Sequence, residues 1–414
     1  MDLTDLTALK TATSPTFCMA KFHEATIWLY SSKIASCHHT PLYSTGTTPI
    51  TFYNTEGKRI QQKSMLAGEK PTDCNYCWKL EEQGLTSDRE LKSLHFKEHL
   101  PSNTYFDPNY DFKPKALELA FQNTCNLACA YCSPSFSTEW INDIKQNGMY
   151  ENLGTDIKRH YARGVDNNTP VDLDMFWEWF DDISNSLESI RITGGEPLLH
   201  EETFKTFEKM LAVNPNVECV IHTNLCQKPV IIQRFIDSIN KLKNVRINIS
   251  NESSGEIAEF IRDGMIYSEW LENVKRLATE SKANLSISTT ITSLSLIGLD
   301  DLYRDIIQLR KENNIKNLYI SINFATYPVF QSLSSLSKEE RIFYLDKYTQ
   351  LFKEIKHDLL NIEKQIYPRL LSMLDPKLTN ENYSSLKNDF EIFFSQYIIR
   401  RNKSIDITKL LGKK

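Results

Sequence analysis

The chain has 414 residues, more than one hydrophobic core usually organises, so a large domain with one or two smaller parts is expected. Hydrophobic residues make up 41% of it and charged residues 24%, as in ordinary globular proteins. The net charge of −5 gives no overall positive field, which argues against a nucleic-acid partner. The sequence has no run of about 18 apolar residues, and its first segment, MDLTDLTALK, has neither the basic region nor the apolar region of a signal peptide. These features predict a cytoplasmic protein without a membrane segment.

The first 110 residues predict a small cysteine-rich domain. They contain turns, a stretch rich in Gly, Thr and Pro at 44–57, and four of the nine cysteines, Cys18, Cys37, Cys74 and Cys77. Such a piece has little core of its own, and cysteines that stay reduced are better interpreted as metal ligands than as disulfides. Four thiolates suffice for a closed zinc site or for a complete [4Fe-4S] cluster, and His38 or His39 can replace one of them.

Residues 111–330 predict a domain in which strands alternate with helices. The predicted strands are 115–121, 189–193, 217–223, 245–250, 284–291 and 317–324. The predicted helices are 172–187, 201–212, 229–242, 267–281 and 299–313. This alternation is typical of βαβ units with a parallel sheet, either open and doubly wound or closed as a whole or partial barrel.

Two further segments have their own patterns. Residues 133–171 form a long insertion, interpreted as a lid or a solvated excursion, in which Arg159, His160 and Arg163 are candidates to contact an anionic substrate. Residues 331–414 predict a helical C-terminal region, with a helical stretch over 338–374 broken at Pro368 and a final helix near 383–400.

The run CNLACAYC places Cys125, Cys129 and Cys132 in eight residues that begin four residues after a predicted strand. Loops at the carboxyl ends of parallel strands are the usual ligand sites of α/β proteins. Three thiolates can hold three irons of a [4Fe-4S] cluster and leave the fourth iron open, whereas a structural zinc ion would need a fourth ligand from elsewhere.

This run resembles the C-x3-C-x2-C motif of the radical S-adenosylmethionine (SAM) superfamily, including the aromatic Tyr131 before the last cysteine. A second stretch, ITGGEPLLH, resembles the GGEP motif of the same superfamily and supplies Gly194, Gly195 and Glu196. The resemblance implies a partial (β/α)6 barrel and a [4Fe-4S] cluster whose open iron binds SAM. It also implies reductive cleavage of SAM to a 5′-deoxyadenosyl radical that abstracts hydrogen from a substrate.

The same resemblance extends to weaker candidates for SAM contacts at the ends of later strands, namely Asn224, Asn248, Ser250 and Arg262. For Arg262 a solvated helix charge is the alternative. Cys226, just past the third predicted strand, is either a small buried side chain or a hydrogen-atom donor near the site.

The stretch DCNYCWKLEEQG resembles the auxiliary-cluster region of radical SAM proteins with SPASM or twitch domains, in a subgroup that carries this element before the core. That resemblance implies a second [4Fe-4S] cluster on Cys18, Cys37, Cys74 and Cys77. The chain is then expected to modify a peptide or protein side chain and to receive electrons from a flavodoxin or ferredoxin type of reductant. A small metabolite such as a sugar or amino acid derivative is the alternative substrate. The alternative to an enzyme is a binding protein without catalysis, in which structural zinc ions occupy both cysteine sets.

Overall fold

The computed structural model describes residues 7, 10, 13–48, 51–99, 110–162 and 169–403, so Arg163 lies outside the described residues. The chain divides into two compact units. The first comprises Met1–Gln122, Asn168–Gly194 and Lys205–Cys219, and the second comprises Asn123–Asn167, Gly195–Phe204 and Val220–Lys414. Each helix among the described residues is too short or too polar to cross a lipid bilayer.

The described strands and helices follow one another as below. The strands are β1 (Glu24–Trp28), β2 (Lys33–Ala35), β3 (Tyr43–Ser44), β4 (Ala116–Ala120), β5 (Ala128–Cys129), β6 (Ser189–Thr193), β7 (Glu218–Thr223), β8 (Asn244–Ser250), β9 (Arg262–Asp263), β10 (Asn284–Ile291) and β11 (Leu318–Phe324). The helices are α1 (Ala20–His23), α2 (Glu56–Leu66), α3 (Asn75–Glu82), α4 (Asp88–His95), α5 (Thr138–Asn147), α6 (Thr155–Ala162), α7 (Leu173–Ile183), α8 (Glu201–Val213), α9 (Pro229–Ile239), α10 (Gly255–Ile261), α11 (Tyr267–Glu280), α12 (Leu299–Asn313), α13 (Lys338–Ile355), α14 (Asn361–Met373) and α15 (Tyr383–Arg400).

In the first unit the strand order is β6-β4-β1-β2-β3. Strand β4 pairs in parallel with β6 and β1, and β1 pairs antiparallel with β2. The N-terminal segment therefore adds β1, β2 and β3 to the sheet that contains β4 and β6. The scattered turns of this segment did not predict these strands. The segment also has a small buried cluster of its own, formed by Ala20, Met65 and Trp78 with Cys18 and Cys74.

In the second unit the strand order is β11-β10-β8-β7, and β10 pairs in parallel with both β8 and β11. Helices α9 to α12 lie between these strands along the chain. All six predicted strands and all five predicted helices of residues 111–330 are present, with ends shifted by a few residues. The predicted α/β fold class is confirmed: parallel strands alternate with helices, as in a partial (β/α)6 barrel, and a helical C-terminal region follows.

The predicted break at Pro368 is wrong. Helix α13 ends at Ile355, α14 begins at Asn361, and Pro368 lies inside α14. The start of α14 is fixed by Glu363, which accepts a hydrogen bond from the Leu360 backbone N–H at 2.8 Å and so satisfies one donor of the first turn. A proline costs a helix one hydrogen bond, and the buried contacts of Tyr367 and Leu370 on the same helix offset that loss.

Glu363 also forms a buried ion pair that joins α14 to α12. Its carboxylate accepts hydrogen bonds from Arg310 at 2.9 Å and from the Ile320 backbone N–H at 2.8 Å. A second pair from α12, Arg304 with Glu354 at 2.6 Å, lies at the surface. The two pairs have the same chemistry but differ in exposure.

We therefore expect Arg310→Met to lower the free energy of unfolding by about 3 to 5 kcal/mol, because it leaves the Glu363 carboxylate buried without its counterion. Arg304→Met should change it by about 1 kcal/mol or less, because that pair is solvated. Urea unfolding followed by circular dichroism measures both values, and equal losses in the two variants would contradict the assignment.

Candidate functional site

The three cysteines of the CNLACAYC run lie on one loop, here called the cluster loop (residues 125–132). Within it, β5 pairs antiparallel with β9, which places Cys129 opposite Arg262. The Cys132 N–H donates to the Cys129 carbonyl at 2.9 Å, and the Ala130 N–H donates to the Ile261 carbonyl at 2.7 Å. The fold thus brings together two candidate residues that are 133 positions apart.

Nitrogen donors face two of the cysteine sulfurs. Arg262 Nη1 lies 3.5 Å from Cys129 Sγ, and Asn224 Nδ2 lies 3.7 Å from Cys125 Sγ. Burial raises the pKa of Cys129 to about 11 and that of Cys132 to about 12. These thiols are therefore protonated at neutral pH until a metal displaces the protons, as is usual for buried sulfur ligands. Three soft sulfur donors with polar groups directed at them suit an iron-sulfur cluster.

Arg262 is the centre of a buried charged network. Its side chain is only about 5% exposed, and it donates to Glu252 through Nε at 2.8 Å and through Nη2 at 2.6 Å. Nη2 also donates to the Tyr131 hydroxyl at 2.7 Å, and that hydroxyl donates to Glu252 at 2.8 Å. The alternative of a solvated helix charge at Arg262 is therefore wrong.

Glu196 of the GGEP motif is fully buried and accepts three hydrogen bonds. They come from the Thr223 hydroxyl at 2.6 Å, the Asn224 N–H at 2.7 Å and the Leu198 N–H at 3.0 Å. Burial nevertheless raises the pKa of Glu196 to about 7. Its own backbone N–H donates to the Thr124 carbonyl at 2.8 Å, so Glu196 connects the GGEP segment both to the end of β7 and to the residue before the cluster loop.

The glycines of this motif are required by close backbone contacts. A Cβ on Gly195 would lie 2.2 Å from the Thr124 carbonyl oxygen. Gly194 has a φ of +119°, and a Cβ there would lie 2.6 Å from the Gln122 carbonyl oxygen. Any side chain at either position therefore collides with backbone.

The remaining candidates occupy different places. Asn224 donates to Asn126 at 2.9 Å and is part of the site, and the Cys226 thiol donates to the Asn224 carbonyl at 3.4 Å. Asn248 contacts His222 at 3.0 Å, and Ser250 ends β8. Neither Asn248 nor Ser250 has a hydrogen bond to a cysteine within the described ranges.

Two residues of the site, Asn126 and Glu252, were not predicted from the sequence. Asn126 donates to the Cys226 carbonyl at 2.7 Å, and Glu252 is the counterion of Arg262. The available signal for Glu252 was an acidic residue two positions after a strand end in ISNESSG.

One face of the second unit's parallel strands is lined with polar side chains at matching levels. The register aligns Asn248 with Ser286 and Tyr319, Ser250 with Ser288 and Ser321, and Thr290 with Asn323. Residues on the other face, such as Ile247, Ile287 and Ile320, are completely buried. Parallel sheets covered by helices on both sides are apolar on both faces, so this polar face is suited to a polar ligand.

In the first unit, Cys18, Cys37, Cys74 and Cys77 line one pocket together with Lys21 and Arg89. Burial raises the pKa of Cys18 to about 12 and that of Cys74 to about 11. The two histidines considered as substitute ligands have other partners. His39 contacts Asp88 at 2.6 Å, and His38 contacts Glu118 at 3.5 Å.

Ligand spacing does not decide what each cysteine set can hold. Within the part of the chain that the structure describes, no three Cys, His, Asp or Glu side chains are gathered closely enough for a single metal ion. The choice between a zinc ion and an iron-sulfur cluster therefore rests on the sulfur ligands themselves and not on their spacing.

Comparison with known proteins agrees with this chemistry. Residues 119–310 match the family model described as Radical SAM superfamily. The chain is 25% identical over 207 residues to the GTP 3′,8-cyclase of Sulfurovum sp. (strain NBC37-1), which covers 49% of this chain and 53% of that protein. It is 24% identical over 241 residues to the GTP 3′,8-cyclase of Helicobacter pylori (strain HPAG1), which covers 57% and 63%. The chain thus spans little more than half the length of the curated relatives it matches.

Among solved structures, Streptococcus suis SuiB bound to S-adenosylmethionine is similar at 11% identity with a TM-score of 0.39. The match covers 80% of this chain and 69% of that one.

We expect Gly195→Ala to destabilise the protein by roughly 1 to 3 kcal/mol, because its methyl group overlaps the Thr124 backbone and the backbone must move. Gly154→Ala is the matched control, since the nearest atom to its added methyl group would be Ile157 Cδ1 at 4.0 Å. Thermal unfolding of both variants is the measurement. A Gly195→Ala protein as stable as the control would contradict the requirement for glycine at this position.

Proposed function

We propose that the chain is an enzyme of the radical SAM superfamily, whose family model matches residues 119–310, with a [4Fe-4S] cluster on Cys125, Cys129 and Cys132. When bound, this cluster would reductively cleave SAM to a 5′-deoxyadenosyl radical that abstracts hydrogen from a substrate. The observation that carries the proposal is three thiols on one loop, two of which have side-chain nitrogen donors at their sulfurs.

The chain's own residues have separable tasks in this proposal. Arg262 and Asn224 stabilise the negative charge that the thiolates acquire when they bind iron. Glu196 holds the GGEP segment against the loop, so that Gly194 and Gly195 present backbone atoms to SAM. Tyr131, Asn248 and Ser250 complete the proposed cofactor contacts.

A first test uses protein reconstituted with iron and sulfide without oxygen. Wild-type protein with dithionite and SAM should release 5′-deoxyadenosine, and the Cys125→Ala, Cys129→Ala, Cys132→Ala triple variant should release none and hold about four fewer irons per chain. Iron assay and chromatography give both readouts. A triple variant that retains full iron content and SAM cleavage would refute the proposal, and a colourless, zinc-loaded wild type would favour the binding-protein alternative.

We propose a peptide or protein side chain as the substrate, with a small polar metabolite as the second candidate. The polar rows on β8, β10 and β11 support a substrate rich in hydrogen-bonding groups, which both classes can supply. The GTP 3′,8-cyclase relatives favour the second candidate. Adding GTP to the cleavage assay separates the two, because a new GTP-derived product would identify a nucleotide substrate.

We also propose an auxiliary [4Fe-4S] cluster on Cys18, Cys37, Cys74 and Cys77, in a SPASM- or twitch-like domain of residues 1–110 that precedes a core of residues 111–330 and the C-terminal region 331–414. Four thiols and two basic side chains share this pocket. Lys21 is buried, and its Nζ donates to the neutral amide of Gln61 with no carboxylate of the described chain at ion-pair distance. A buried basic group of this kind is stabilised by an anionic metal-thiolate centre.

Replacing Cys74 and Cys77 by alanine should preserve SAM cleavage and abolish formation of the modified substrate, because the auxiliary site is expected to act after radical formation. Iron content should fall by about four per chain while 5′-deoxyadenosine is still released. Loss of cleavage in a well-folded variant would contradict this order of events. If the variant loses zinc and keeps its iron, the four cysteines hold a zinc ion, and only the auxiliary-cluster proposal is wrong.

The external reductant, of flavodoxin or ferredoxin type, and the cytoplasmic location stay predictions from the sequence and the resemblance. The same holds for an overall reaction of oxidoreductase or transferase type.

A further inference from the structure

The backbone carbonyls of the cluster loop are bound, one after another, by side chains from other parts of the second unit. The side chain of Ser137 donates to the carbonyl of Leu127 at 2.7 Å, that of Tyr397 to the carbonyl of Ala128 at 3.2 Å, and that of Trp140 to the carbonyl of Cys129 at 2.9 Å. The carbonyl of Ala130 accepts from Tyr161 at 3.0 Å and from Gln331 at 2.9 Å. His160 donates to the carbonyls of Tyr131 and Cys132 at 3.3 and 3.1 Å. Every carbonyl from Leu127 to Cys132 therefore has a side-chain donor.

We infer that these side chains form a scaffold that holds the cluster loop in its ligand-ready conformation before any metal binds. We further infer that Gln331 and Tyr397, which lie outside the matched residues 119–310, are positioning residues for the cysteines. The inference rests on the proposed function only for the identity of what the loop binds.

The energetic reason is the position of the loop. Only the short β5 supplies regular backbone pairing, and a buried carbonyl without a partner costs about 1 to 3 kcal/mol. The side-chain donors meet this requirement in the conformation that the loop adopts here. Fixing a residue's backbone costs about 1 to 2 kcal/mol, so a loop already held by the scaffold does not incur that cost again when iron arrives.

Three of the donors are packed in the interior of the second unit. Trp140, Tyr161 and Tyr397 are completely buried, and the Trp140 and Tyr161 rings lie 4.8 Å apart. Phe393 of α15 packs on Tyr161 at 4.9 Å. The insertion at 133–171 was expected to be a lid or a solvated excursion. Its residues 133–162 thus belong to the support of the cluster loop, together with the C-terminal helix.

Tyr397 bridges the two sides of the site. Its hydroxyl lies 3.2 Å from the carbonyls of both Ala128 and Phe260. Phe260 is two residues before Arg262, whose guanidinium reaches Cys129 Sγ. One hydroxyl on α15 therefore positions both the loop that carries the thiols and the segment that carries their cationic neighbour.

The chain offers a matched set of variants. Tyr161→Phe and Tyr397→Phe each remove one hydroxyl from the scaffold and keep the ring. Tyr367→Phe is the control, because its hydroxyl is equally buried but donates to the Tyr348 carbonyl at 3.0 Å, away from the cluster loop.

The test is amide hydrogen exchange of the full-length, metal-free protein, read at Ala130 and Cys132, whose N–H groups are hydrogen-bonded within the site. Tyr161→Phe and Tyr397→Phe should each increase exchange at these amides on the order of 3- to 10-fold, the equivalent of one lost hydrogen bond. Tyr367→Phe should leave loop exchange unchanged even where urea unfolding shows the same loss of global stability. Loop exchange that merely follows global stability in all three variants would overturn the inference.

A second readout uses the reconstituted protein. Iron should pass to a ferrous chelator several-fold faster from Tyr161→Phe and Tyr397→Phe than from wild type and Tyr367→Phe, and equal rates in all four proteins count against the scaffold. Should either hydroxyl variant fail to fold, the other and Gln331→Leu, which removes one donor to Ala130, take its place. Exchange is measured without metal, so the two proposals fail independently. Unchanged loop exchange would overturn the scaffold and leave the proposed cluster standing, whereas a protein that binds no cluster would still give a valid exchange result.

Discussion

The buried pair of Arg262 and Glu252 is the interaction on which the rest of the site depends. An arginine and a glutamate removed from water are stable only if their hydrogen-bonding groups are used, and here Cys129, Tyr131 and the carboxylate use them. The guanidinium faces sulfur on one side and carboxylate on the other. The segment after β8, the short β9 and the cluster loop are thus held by one charged group.

The pair also defines what the thiols can do. Buried thiols with a raised pKa do not ionise by themselves, and a cationic neighbour lowers the cost of ionisation without supplying enough stabilisation to achieve it. Metal binding provides the remainder by displacing the protons. The first unit repeats the arrangement, with buried cysteines beside Lys21 and Arg89. Similar physical requirements therefore apply to two cysteine sets whose common sequence pattern is only a C-x-Y-C pair, Cys74 with Cys77 and Cys129 with Cys132.

Sequence pattern predicted the parts of the fold whose signal is local. Strands such as β8 and β10 alternate apolar and polar residues, and the helices between them have a clear helical period, so both could be located from the chain alone. The cysteines and the GGEP glycines are also local, since their spacing carries the chemistry. The alternation alone does not show how the strands align. The register does, and it places the polar positions of β8, β10 and β11 side by side on one polar face.

What could not be predicted depends on distant partners. β1 reads as a short apolar run and becomes a strand because β4 pairs with it. Residues 133–162 look like an exposed insertion until the aromatic side chains of α15 pack against them, more than 200 positions away along the chain.

The same distance explains why the support of the cluster loop has no sequence motif. A hydrogen bond from a side chain to a backbone carbonyl requires a donor at the right place, not a particular residue type. Here a serine, two tyrosines, a tryptophan, a glutamine and a histidine perform the task on six consecutive carbonyls. The metal-binding motif is thus short and recognisable because coordination chemistry demands cysteine, whereas its support is spread over the unit because any donor serves. Regions outside the matched domain can therefore determine how well a shared motif holds its cofactor.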